Sequence, residues 1–160
     1  MNQSFSNWVR WLERDKLGKT LKYPGIYAIA SSHKDIASFP FVWCEEIFYI
    51  GMTNSKGGLK SRLQQFENTI KGKVGHGGAE RVRFKHSDYN SLVSKLFVSV
   101  SHTECDVLSH TPSDLRLMGQ VAQEEYECFA VFAEKFNRLP EFNDKKKSLK
   151  KIPVLRTNKI

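Results

Sequence analysis

The side chains of this sequence best placed to do chemistry are two tyrosines, an arginine and a cluster of glutamates. Tyr27 and Tyr49 lie in two consecutive short apolar runs, residues 26–30 and 46–50. A phenol titrates near pKa ~10, so each is a poor base at neutral pH unless nearby cations favour the phenolate. Arg62 lies on a stretch where Leu59, Leu63, Phe66 and Ile70 recur at helical spacing. It falls about 60° to one side of that stripe, on the border between packing and solvent. A planar, permanently charged fork there suits a phosphate group, or else a rim ion pair with Glu67. Glu124, Glu125 and Glu127 fall on a second helical pattern whose apolar stripe is Met118, Val121, Ala122, Phe129, Phe132 and Phe136. Glu125 sits near the middle of that stripe, Glu124 about 100° away and Glu127 on the far side. A carboxylate on an inward face is costly to desolvate unless something positive meets it. A hard cation, Mg²⁺ or Mn²⁺, is one such partner, and an ion pair with Arg62 or Lys60 is the other.

The elements that must carry these residues are readable from periodicity. Phe5, Trp8, Trp11 and Leu12 recur at helical spacing over residues 4–16, after a serine able to cap. Residues 26–30 and 46–50 read as strands, the second stopped by Gly51. A helix opens at Gly57 and Gly58, and a turn rich in glycine (Gly72, Gly75, Gly77, Gly78) ends it. A third strand is expected over residues 92–100. Thr111 and Pro112 then open a long helix running to about Phe136, closed off by Pro140. The order α, β, β, α, β, α is an α+β arrangement, a small three-stranded sheet flanked by helices.

Composition narrows the partners. A chain of 160 residues has room for one core, and its 40% apolar and 26% charged residues are ordinary globular values. It holds no apolar run of about 18 residues, so no membrane-spanning helix is expected. Cys44, Cys105 and Cys128 form neither a disulfide framework nor a CxxC pair, which suits a reducing, cytoplasmic setting. His102, Cys105 and His110 fit no standard zinc spacing. The formal charge is +8, from 25 basic and 17 acidic residues. Seven of the basic residues lie in the acid-free segment 145–160, which leaves 18 against 17 elsewhere. Lys145, Lys146, Lys147, Lys150 and Lys151 of that tail are candidates to neutralise phosphates. Lys71, Lys73, Arg81, Arg83 and Lys85, which bracket the glycine-rich turn, are candidates for a phosphate-contacting rim.

Two tripeptides carry a resemblance. Gly25-Ile26-Tyr27 and Tyr49-Ile50-Gly51 stand on consecutive expected strands, with Met52-Thr53 following and Arg62 on the next helix. With Pro140-Glu141-Phe142-Asn143 near the end, the chain resembles the GIY-YIG nucleases over roughly residues 23–143. The resemblance implies a nuclease domain there, between an N-terminal helical extension (1–22) and a basic tail (144–160). It implies an endonuclease that hydrolyses DNA, duplex or branched, with one Mg²⁺ or Mn²⁺ per site, as a monomer or as a dimer on its substrate. Tyr27 would position the attacking water, Tyr49 would support it, and Arg62 would steady the phosphate. Glu125 would hold the metal, with Glu124 the second choice, and Asn143 would hydrogen-bond the site. Phe66 stands one turn after Arg62, where members often place a histidine. His76, which titrates near neutrality when free, is the candidate for that role. The alternative is a nucleic-acid-binding module that keeps the scaffold without the catalysis.

Overall fold

A computed structural model describes residues 4–150 of the chain. Its centre is a four-stranded, fully antiparallel sheet of β1 (Val9–Arg10), β2 (Gly25–Ser31), β3 (Ile47–Thr53) and β4 (Leu96–His102), in the order β1-β4-β2-β3. The helices are α1 (Gly58–Ile70), α2 (Gly77–Lys85), α3 (Tyr89–Val93) and α4 (Pro112–Phe136). β2 is buried on both faces, as expected for an apolar run between two neighbours. Alternation along it separates two cores. Tyr27 and Ile29 face Leu59, Leu63 and Phe66 of α1, while Ile26, Ala28 and Ala30 face Val121, Cys128 and Phe132 of α4. Among the described residues no helix is long and apolar enough to cross a membrane.

The sheet has four strands where the sequence led us to expect three, and the correction lies at the N-terminus. Residues 4–16 form no α-helix: Val9 and Arg10 pair with Val98 and Phe97 of β4. Trp8 is buried in the α4-side core and Trp11 in the α1-side core, so the two tryptophans serve opposite faces of the sheet. An amphipathic helix would put them on one face. Leu12, the fourth residue of that apparent stripe, is 63% exposed. A 3-10 segment, Trp11–Lys22, follows, with non-helical backbone at Glu13 and Gly18.

Two further boundaries moved. The glycine-rich stretch does not end as a turn, because His76 caps a new helix, α2, by accepting from the Ala79 N–H. Asp88 caps α3 in the same way, so β4 begins only at Leu96. The long helix is as read. Thr111 caps it by accepting from the Asp114 N–H, a proline opens it and left-handed Asn137 closes it.

Glu67 ties these pieces together. It is 2% exposed, and it accepts from Trp11 Nε1 and the Tyr89 hydroxyl while pairing with Lys71 at 2.8 Å. The N-terminal segment and α3 are thereby fastened to α1. Burial pushes the Glu67 carboxyl up, but the donors from Lys71, Trp11 and Tyr89 together hold it below the usual range. A group depressed in the folded state stabilises above its unfolded pKa and loses that contribution as pH falls through the folded value. Glu67→Gln should cost about 2–4 kcal/mol at pH 7, since an amide cannot accept at both ends. The gap in thermal stability between wild type and variant should narrow below pH ~4. An equal gap at pH 3 and pH 7 would contradict this role.

Candidate active site

The two tripeptides meet side by side in the sheet, and the glycine of the second makes room for the tyrosine of the first. Tyr27 of β2 pairs in register with Gly51 of β3, and a Cβ on Gly51 would lie 2.5 Å from the Tyr27 hydroxyl oxygen. The Tyr27 ring crosses a spot that no side chain can occupy. Gly78, in the first turn of α2, does the same for Tyr49: a Cβ there would lie 2.2 Å from its ring. Tyr49 is thus held between Tyr27, Phe66 and His76, with ring centroids 6.0, 5.7 and 5.5 Å away.

His76 is both the cap of α2 and the end of a hydrogen-bond chain. Its Nδ1 accepts from the Ala79 N–H at 3.2 Å, so the proton of the neutral ring sits on Nε2. Nε2 lies 2.8 Å from the Tyr27 hydroxyl oxygen and donates to it. Burial, then the Arg62 charge, pushes the His76 pKa down to about 4. The imidazole is therefore a neutral donor at pH 7 and carries no proton across the neutral range. Tyr27, fully buried, is pushed well above the ordinary phenol value by burial and by Tyr49, while Arg62 pulls it back. Burial also raises Tyr49, opposed by the Arg62 charge and by its neighbour Tyr27. The chain runs from the α2 backbone through His76 to Tyr27, and Tyr49, packed against both rings, is the member of the group that reaches the cleft.

Arg62 is the charge at the centre. Its field acts on Tyr27, Tyr49, His76 and Glu125. One terminal nitrogen donates to Gln65 Oε1 at 2.7 Å, and Nε is buried without a partner among the described residues. The rim pair with Glu67 does not form, since Glu67 is held by Lys71, Trp11 and Tyr89. A buried donor left unmade costs about 1–3 kcal/mol, and an anion in the cleft would relieve it.

Glu125 is half-buried on α4 and Glu127 is exposed. Burial pushes the Glu125 carboxyl up, against the opposing effects of Arg62 and the Met52 N–H. Glu124 is also half-buried. The ion pairs among the described residues do not include Glu125. No group of three His, Cys, Asp or Glu residues converges on a metal position among the described residues. A carboxylate raised by burial and held in no ion pair among the described residues has the chemistry to take a hard ion, whose other ligands would be water and phosphate oxygens.

The side-chain hydrogen bonds of Asn143 go to Ile50 and not to the tyrosines or Arg62. Its Oδ1 accepts from the Ile50 N–H and its Nδ2 donates to the Ile50 carbonyl, both at 2.8 Å. It acts as a one-residue strand partner for β3 and is a positioning residue. Beside it lies a cleft of about 280 Å³, lined by Tyr49, Arg62, Arg81, Asn143, Lys145 and Lys150.

The other candidate cations are mostly engaged within the chain. Lys71 pairs with Glu67, Lys85 with Glu141, Lys147 with Asp144 and Lys150 with Glu80. Arg81 donates to the carbonyls of Ser148 and Gly77, and Arg83 to that of Gly72. Lys73, Lys145 and Lys146 are exposed. Lys151 lies outside the described residues. Sequence reasoning missed Gly78 and the capping role of His76. The His-Gly-Gly run opening a short apolar pattern was the available signal.

Asn143→Ala removes both bonds to Ile50 and should cost about 1–3 kcal/mol in chemical denaturation. Asn143→Asp should not restore the loss, because a carboxylate faces the Ile50 carbonyl where the amide donated. Wild-type stability in the Asp variant would contradict the strand-partner role. In comparisons with known proteins, no family model, no curated protein and no solved structure matches this chain.

Proposed function

We propose that this chain is a GIY-YIG-type endonuclease that hydrolyses DNA phosphodiester bonds with one Mg²⁺ or Mn²⁺ bound at Glu125. The observation that carries the reading is the cleft. Tyr49 and Arg62 open onto it beside three further cations, with the hydrogen-bonded His76–Tyr27 pair packed behind Tyr49 and Glu125 within the field of Arg62. The paired tripeptides and the sheet with helices on both faces agree with that family's pattern.

The residues divide the work by position. The resemblance alone assigns the attacking water to Tyr27, but full burial of Tyr27 moves that role to Tyr49. Tyr49 packs against the Tyr27 ring and lines the cleft, where its phenol is placed to meet a water. In deprotonated form it takes a proton from the water and orients the attack. Arg62 meets the charge that grows on the non-bridging oxygens, where a fork already oriented needs no reorganisation. The chemistry a divalent ion supplies at Glu125 is charge stabilisation of the leaving oxygen. Asn143 keeps β3, and with it Tyr49, in register.

One observation favours a second reading, a nucleic-acid-binding module without catalysis. Both phenols are pushed above their ordinary value, which leaves little phenolate at neutral pH. The two readings separate on nicking of supercoiled plasmid. The enzyme should nick with Mg²⁺ or Mn²⁺ and stop with EDTA. Glu125→Gln should lower the rate by about 10²–10³, while Glu127→Gln stays within about twofold. With a phenolate as base, the rate should climb by up to about tenfold per pH unit between pH 7 and 9. It should show no step near pH ~6.5, because His76 titrates far below that. Metal-independent nicking, or full activity in Glu125→Gln, would sink the proposal.

A further inference from the structure

A groove on the other side of α1 has no part in the site above. It lies between the 3-10 segment and the start of α1 and holds about 680 Å³. Arg14, Lys22, Lys56 and Lys60 line it, with Asp15 as the one acid. None of these four cations enters an ion pair among the described residues. They differ in this from the lysines around α2 and the tail, four of which are matched to carboxylates.

The hydrogen bonds and ring contacts that hold Arg14 and Lys22 are with neutral groups. Arg14 donates to the Trp11 carbonyl at 3.0 Å and to Gln64 at 3.2 Å, and its guanidinium lies 5.0 Å from the Trp11 ring centroid. Lys22 Nζ lies 4.7 Å from the centroid of the Tyr23 ring. Neutral partners fix a cation without cancelling its charge, so the groove stays electropositive. We propose that this groove is a second binding site for nucleic-acid phosphates, holding the strand that flanks the bond being cut. This rests on the nuclease reading of the cleft.

Distance supports the connection. Met52, whose N–H meets Glu125, is four residues before Lys56, and four residues span at most about 14 Å. At about 3.4 Å per nucleotide that is about four nucleotides along one strand. The intervening loop is tied to α4 by Asn54, which donates to the Met118 carbonyl at 3.0 Å. Lys56 at the groove's rim therefore lies within a few nucleotides' length of the strand that carries Met52.

The test reads binding with no metal present, so it does not depend on cleavage. A labelled 24-base-pair duplex is titrated by anisotropy in EDTA at salt concentrations from about 50 to 200 mM. Each phosphate contact contributes about −0.9 to the slope of log affinity against log salt. A triple variant, Lys22→Gln, Lys56→Gln and Lys60→Gln, should flatten the slope by roughly 2.7 units. Over that salt range the wild type then loses roughly 40-fold more affinity than the variant. Arginine at the same three positions should restore the slope. Neutralising the ion-paired Lys16 and Lys85 should change it by less than about one unit. Binding by the wild type with an unchanged slope in the triple variant overturns the groove and leaves the cleft reading standing. No salt-dependent binding by the wild type overturns both.

Discussion

The outer edge of β3 is the constraint on which the site depends. In an antiparallel sheet alternate residues of an edge strand turn their N–H and C=O groups outward, and those groups need partners. In β3 the outward positions are Phe48, Ile50 and Met52. Phe142 N–H donates to the Phe48 carbonyl at 2.9 Å, Asn143 takes both groups of Ile50, and the Met52 N–H acts on the Glu125 carboxylate, favouring its charged form. Two distant pieces of chain, the segment of Phe142 and Asn143 and the helix of Glu125, meet on one strand edge where backbone polar groups need partners. Between those outward positions, Tyr49 and Gly51 point at α1 and at Tyr27. Protecting the edge and assembling the cleft are therefore one act of folding.

Electrostatics then sets the character of the place. Arg62 brings a charge to the border of the core, and Tyr27, Tyr49, His76 and Glu125 all feel it. Its Nε stays without a partner while two phenols lie in low dielectric beside it. Such an arrangement costs folding energy and is the kind of local inconsistency expected where a ligand completes the structure. Glu67 shows the contrast. It too is a buried carboxylate, but three donors satisfy it fully, and it works as a fastener for Trp11 and Tyr89.

How much of this was legible depended on where the cause of each feature lay. The strands at residues 26–30 and 46–50 and the helices carrying Arg62 and Glu125 read directly, because period-2 and period-3.6 patterns and the Thr111-Pro112 start are local signals. The fourth strand did not. Trp8 and Trp11 mimic a helical stripe, and only the sheet between them shows that they face opposite cores. α2 hid behind its glycines, since a cap by the His76 side chain looks like any loop histidine in one dimension. The state of the cations was also invisible, because Lys85 finds Glu141 and Lys150 finds Glu80 only after the chain has folded. Charge counted along the tail cannot show that Lys147 and Lys150 meet Asp144 and Glu80.

The central claim is that Glu125, placed on the Met52 edge of β3 within the field of Arg62, is a metal-binding carboxylate serving a phosphate in the adjacent cleft. Mn²⁺ binding followed by electron paramagnetic resonance addresses it most directly, using the folded chain with a phosphorothioate duplex that resists cutting. The account predicts one Mn²⁺ per chain, bound far more tightly with the duplex than without it, and loss of that ion in Glu125→Gln. Undiminished Mn²⁺ binding in the Glu125→Gln chain, or none in the wild type with duplex, would contradict it.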